Sequence, residues 1–194
     1  MRPDLYQAQM IQKPQFILLV RKLQPQESSL YRLIRLACLT NSPDQFGSTY
    51  AEEASTPVLK FETYIEQGSS SRFMFGAFDG GELIGIAGFD RKERQRDRHR
   101  GELVQVYVDA DYRGQKVAER LLRGVIERAF SLDGLEQIQL SVVAGNGAAI
   151  RLYEKLGFKA YGWQPRYFKV GERYMDQQFM QLFKTEYRAN ADPH

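Results

Sequence analysis

A single cysteine, Cys38, and two histidines, His99 and His194, are all that 194 residues offer among the side chains that most often bind metals or form disulfides. One cysteine excludes an internal disulfide and a cysteine-cluster zinc site, and two histidines exclude a histidine-rich centre. Cys38 sits in an apolar segment, where a thiol behaves as a small buried hydrophobe. Long hydrophobic runs are missing too. The longest, around Phe16 to Val20, falls far short of the roughly 20 apolar residues a membrane span needs, and no signal-peptide pattern opens the chain. Neither sign of charge dominates: 27 basic and 24 acidic residues leave a net charge of +3, too balanced to announce a nucleic-acid binder. Together the absences predict a metal-free cytoplasmic protein with neither a nucleic-acid nor a membrane partner.

What is present fits an ordinary globular chain, with 43% hydrophobic and 26% charged residues. The expected division is an extension over 1–15, a folded domain over 16–185 and a polar tail over 186–194. Phe16 to Arg21 reads as a strand. Pro25 starts a helix with Leu30, Leu33, Ile34 and Ala37 on its apolar face, bounded near Asn41. Residues 43–60 read as turns, and a short helix runs from Val58 to Gln67. Phe73–Phe78, a glycine turn and Leu83–Phe89 form a β-hairpin pattern. Arg91 to Arg100 is a mixed-charge connection, read as a solvated loop. Leu103–Val108 is a strand and Val117 to Phe130 a strongly amphipathic helix. Ile138–Val143 is a strand, Asn146 opens a helix that Gly157 stops, and two strands (about 160–170 and 174–183) close the domain. This order describes a mixed α/β sheet.

Two stretches carry chemistry. The first, Val106 to Ala118 (VYVDADYRGQKVA), is a strand feeding a tight loop that opens a long helix. Such a loop aims unpaired backbone N–H groups at one point, where the helix dipole also favours an anion, so it suits a pyrophosphate. An ordinary strand–loop–helix connection with exposed Arg113 and Lys116 reads equally well at this level. Neither GxxxxGK[ST] nor GxGxxG is present. The second stretch is Asn146 to Phe158 (NGAAIRLYEKLGF).

Taken together, the two stretches resemble the GNAT superfamily of acyl-CoA-dependent N-acyltransferases. The family's [RQ]xxGx[GA] motif matches Arg113-Gly114-Gln115-Lys116-Val117-Ala118 except at Lys116, where glycine is usual. Its second motif matches Asn146, Ala149, Leu152, Tyr153, Gly157 and Phe158 in register. The resemblance implies a single-domain GNAT fold: a mixed, mostly antiparallel sheet with a splayed central strand pair, flanked by helices. It also implies acetyl-CoA as acyl donor, with pantetheine pairing along Val106, Tyr107 and Val108. The pyrophosphate would rest on Arg113, Gly114, Gln115, Lys116, Val117 and Ala118, and Asn146 would touch the pantetheine arm or cap its helix.

Tyr153 is implied as the general acid for the departing thiolate, with a packed aromatic as its plain structural alternative. Glu102 aligns with a position where some relatives place a general base. A base matters because an amine of pKa about 10.4 costs about 4–5 kcal/mol to deprotonate at pH 7. A water chain ending on a backbone carbonyl or Tyr107 would serve as well, and His99 reads as merely exposed. Trp163, Tyr167, Phe168 and Tyr174 read as core and sheet packing, some bordering the acceptor. Glu52 and Glu53 read as surface charges or as partners for a cationic amine. The expected activity is direct acetyl transfer to a primary amine of a small molecule, peptide or protein. A non-catalytic acyl-CoA sensor is the alternative, and a homodimer stays open.

Overall fold

The computed structural model describes residues 16–191, so the extension 1–15 and His194 lie outside the described residues. The elements are β1 (Leu18–Lys22), α1 (Ser28–Asn41), α2 (Tyr50–Ser55), α3 (Lys60–Glu66), β2 (Arg72–Asp79), β3 (Glu82–Arg91) and β4 (Arg100–Val108). They continue with α4 (Val117–Phe130), β5 (Gln137–Val143), α5 (Gly147–Lys155), β6 (Lys159–Val170), β7 (Arg173–Phe183) and α6 (Lys184–Ala191). The 7-stranded sheet runs β1-β2-β3-β4-β5-β7-β6. Every pairing is antiparallel except that of β4 with β5. Among the described residues no helix is long and apolar enough to cross a membrane.

Local chemistry explains most boundaries. The β2–β3 turn passes through Gly80 and Gly81, at φ 54° and 96°, positive values that glycine takes without a Cβ clash. In α4, Val117, Leu121, Leu122, Val125, Ile126 and Ala129 fall on one face and are buried against β1, β2 and β3. A second core, beneath α1 and α3, covers the opposite face of β2, β3 and the far end of β4.

Several expectations change. A helix, α2, occupies part of the stretch read as turns. The Thr49 hydroxyl accepts from Glu52 N while the Glu52 carboxylate accepts from Thr49 N, a capping box that the T-x-x-E spacing announces. The buried face of α1 is Tyr31, Ile34, Arg35, Cys38 and Leu39, whereas Leu33 is 67% exposed. The apolar pattern misplaced that face because a buried arginine, paired with a carboxylate, behaves as a core residue. The tail expected from residue 186 begins as α6, pinned by Lys159–Glu186 at 2.7 Å and by Tyr187 stacked near Phe130 at 5.7 Å. Trp163, Tyr167 and Tyr174 are exposed rather than core: the first two lie on the edge strand β6, which has a neighbour on one side alone, and Tyr174 lies where β7 extends past β5.

The strand pair at the centre sets up the site. Among the described residues β4 and β5 are paired only at Arg100–Glu102 against Gln137–Gln139, and beyond Glu102 they separate. On its other side β4 carries a bulge: Gln105 and Val106 together face Ala87, and Gln105 takes φ 54°. An extra residue on one strand bends it and deepens its twist, here away from β5. Tyr31 holds the bulge by donating its hydroxyl to Gln105 Oε1 at 3.0 Å.

Candidate active site

Where β4 and β5 part, a cavity of about 850 Å³ passes between them and opens toward both faces of the sheet. On the α4 side its wall is Val106, Val108, the loop from Tyr112 to Gly114, Lys116 to Glu119, and Asn146, Ala149, Leu152 and Tyr153. On the α1 side it meets Arg35, the Ser42–Ser48 loop, Gln105, Tyr107, Tyr167, Phe168 and Gln177.

The first end is built for phosphate. Among the described residues the backbone N–H groups from Gly114 to Glu119 donate to no carbonyl or side chain; the next amide along, Arg120 N, bonds Lys116 O at 3.1 Å. Unpaired donors converge at the start of a 14-residue helix, whose dipole adds to the attraction for an anion. Gly114 stands at φ 77°, and a Cβ there would meet nothing, so ligand approach is open. Arg113 and Lys116 are exposed beside it. Along β4, the edge facing β5 is unpaired beyond Glu102, leaving backbone groups at Leu103–Val108 for an amide-bearing chain. The residues therefore fit a pantetheine diphosphate.

Most expected residues gather here. Val106, Tyr107, Val108, Arg113, Gly114, Lys116, Val117, Ala118, Asn146 and Tyr153 all line the cavity. Gln115 does not; its side chain turns back toward Asp111 O at 3.4 Å. Lys116 adopts the left-handed conformation, φ 60° and ψ 15°, which accounts for the family's glycine at this position. It is exposed at the rim of the cavity. Asn146 caps α5, accepting from Ala149 N at 3.1 Å, and its Nδ2 donates to Gln45 Oε1, so both ends of its amide are engaged by the protein.

Tyr153 is 7% exposed, its ring set edge-on to Phe158 at 5.9 Å. Burial pushes its phenol above the ordinary tyrosine value, so the hydroxyl stays protonated at neutral pH. No described group hydrogen-bonds this hydroxyl, which leaves it available to the cavity.

Glu102 is not brought to the cavity. It sits where β4 and β5 are still paired, and Lys92 binds its carboxylate at 2.7 Å. His99 lies before β4, outside the cavity, its carbonyl accepting from Glu136 N at 2.8 Å. The segment Arg91–Arg100 lies outside the cavity: Arg91 reaches the Arg98 and Asp133 carbonyls, both at 2.7 Å, and Glu93 pairs with Arg72. Cys38 is fully buried and its thiol is pushed up to about 11, which makes it a packing residue rather than a nucleophile.

The second end contains residues that sequence reasoning missed. Arg35 is 2% exposed and forms a two-point ion pair with Glu53, Nε–Oε2 at 2.8 Å and Nη2–Oε1 at 2.6 Å. Glu52 caps α2. Glu53 is thus spent on Arg35, and neither acid lines the cavity. The Ser42–Ser48 loop is clamped by Asp44–Arg173 at 2.6 Å and by Gln45 on Asn146. A Cβ on Gly47 would lie 2.9 Å from the Phe168 ring, so glycine is required for the loop to close on β6. Tyr167 and Phe168 reach the cavity because β6 bulges between Gln164 and Phe168, where Asp176 Oδ1 accepts from Arg166 N at 2.8 Å.

Comparison with known proteins agrees with this geometry. Residues 34–158 match the model of the acetyltransferase (GNAT) family. The chain is 33% identical over 157 residues to the L-methionine sulfoximine/L-methionine sulfone acetyltransferase of Pseudomonas aeruginosa, covering 77% of this chain and 85% of that one. It is 34% identical over 105 residues to the N-alpha-acetyltransferase RimI of Mycobacterium tuberculosis, covering 54% of this chain and 63% of that protein. A crystal structure of a GNAT-family acetyltransferase from Streptococcus pneumoniae superposes with a TM-score of 0.72 at 25% identity, over 86% of this chain and 99% of that one.

Proposed function

The chain belongs to the acetyltransferase (GNAT) family, and from that premise we propose that it moves an acetyl group from acetyl-CoA directly to a primary amine. The observation that carries this reading is the cavity through the β4–β5 gap, with free amides at one end, Tyr153 on its wall and, at the other end, Arg35 neutralised by Glu53. Acetyl-CoA supplies an activated thioester. The loop amides from Gly114 to Glu119 hold its diphosphate, and the free edge of β4 orients its pantetheine amides. In this reading a backbone N–H on the free edge of β4 polarises the thioester carbonyl.

The neutral amine attacks from the α1 side, so the C–N bond forms as the C–S bond breaks. Tyr153 delivers its phenolic proton to the departing sulfur, and the amine gives up a proton to water at the open mouth. A phenol held protonated by burial suits that role. Glu102 lies outside the cavity in an ion pair with Lys92, so the proton leaves through solvent.

The test is thiol release from acetyl-CoA with a panel of amines. Tyr153→Phe keeps the ring packing and removes the proton; kcat is expected to fall about 10²-fold or more with acetyl-CoA affinity retained. Unchanged turnover in this variant would remove Tyr153 from the chemistry. Binding of acetyl-CoA without turnover on any amine would point instead to a sensor.

A further inference from the structure

Gln177 is 5% exposed, lines the cavity and has its Oε1 buried without a hydrogen-bond partner. No described residue receives its Nε2 either, so whichever way the amide is turned, neither of its polar groups is met by the protein. A ligand at the cavity wall that completes the amide's hydrogen bonds is favoured there. Its place on β7 says which ligand. Backbone pairing sets Gln177 between Val143 and Gln164. Met180 and Leu182 project into the core against α4, so by strand alternation Gln177 projects to the opposite face, toward Arg35 and the Ser42–Ser48 loop. That is the acceptor end, away from the α4 amides.

Among the described residues no carboxylate lines this end of the cavity. Glu53 spends both oxygens on Arg35, Asp44 pairs with Arg173, and Glu52 caps α2. Arg35 Nη1, by contrast, has only the Cys38 sulfur at 3.6 Å. A second ammonium entering here would lose its water and find no opposite charge. A neutral or anionic substituent meets no such obstacle.

We propose that this compartment accepts a primary amine carrying no second positive charge, and that Gln177 holds the acceptor by a hydrogen bond through its side-chain amide. The inference rests on the acetyltransferase reading and names the substrate class for that site.

Initial rates with L-methionine sulfoximine, an alanyl dipeptide and spermidine test it, alongside calorimetric binding of acetyl-CoA alone. At least one of the two monoamines is expected to exceed spermidine in kcat/KM by about 10-fold or more. Gln177→Leu, similar in size, is expected to raise the monoamine KM about 10-fold while the acetyl-CoA Kd stays within twofold. Gln177→Glu places a carboxylate in the compartment and is expected to narrow the disadvantage of spermidine, an outcome that loss of fold could not produce. Spermidine turned over best by the wild-type protein overturns the substrate class while leaving the enzyme reading intact. A Gln177→Leu effect on acetyl-CoA Kd instead of acceptor KM, or on neither, overturns the role of Gln177. Absence of turnover on every amine despite acetyl-CoA binding overturns the enzyme reading and this inference together.

Discussion

A single side chain at Lys116 shows how a departure from a family pattern resolves into backbone physics. The position takes φ 60° at the start of α4, a conformation that brings Cβ against the following carbonyl and costs a residue with a side chain about 1–2 kcal/mol. Glycine escapes that cost, at the expense of a freer unfolded chain. Lys116→Gly is therefore expected to be more stable than Lys116→Ala by about 1 kcal/mol, read as a higher urea midpoint with an unchanged slope. Both variants lose the ammonium beside the phosphate loop, so both are expected to bind acetyl-CoA more weakly by a similar factor. Equal midpoints would mean that the loop relaxes to a different φ when the side chain shrinks. Asn146 follows the same logic: one amide serves the α5 cap and the Ser42–Ser48 loop together, which binds the helix start to the acceptor end of the cavity.

Elements were legible in proportion to how locally their causes act. The Asp79–Glu82 turn, the stripe of α4 and the Gly157 stop are written in short-range chemistry, and the structure carries all of them. The phosphate loop and Tyr153 were legible through motifs whose register the structure preserves. What escaped was non-local. The inner face of α1 includes Arg35 because Glu53 arrives from α2 to pair with it. Gln177 is a cavity residue only because β5, β6 and β7 pair as they do, and Glu102 falls outside because β4 and β5 are still joined at that level. That joined segment deserves a direct test. A Cβ at Gly101, which pairs with Ile138 there, would run into the Phe89 ring. Gly101→Ala is expected to cost about 1–3 kcal/mol in chemical denaturation, since Phe89 is fully buried and has no room to retreat. A neutral effect would show that the closed end of the gap is looser than its packing implies.

At the scale of the whole molecule the sheet is two blocks joined by a short seam. β1 to β4 form one block and β5, β7 and β6 the other, and among the described residues the only ladder between them is Arg100–Glu102 with Gln137–Gln139. Helix α4 packs on the first block, and its buried face belongs to one core with residues of both blocks. The rest of the boundary is the cavity itself. A ligand lying along the free edge of β4 and ending on the α4 amides would bridge the two blocks and satisfy donors that the folded chain leaves unpaired. Acetyl-CoA at about 100 times its Kd is thus expected to stabilise the fold by about 2.7 kcal/mol. For a chain of this size that is a rise in Tm of roughly 5–10 °C by scanning calorimetry. Hydrogen exchange gives the sharper reading, because bulk stabilisation and bridging differ in where protection appears. Protection should rise first at the amides of Leu103–Val108 and Gly114–Glu119. A uniform gain, or one confined to β6 and β7, would mean that acetyl-CoA binds elsewhere on the protein.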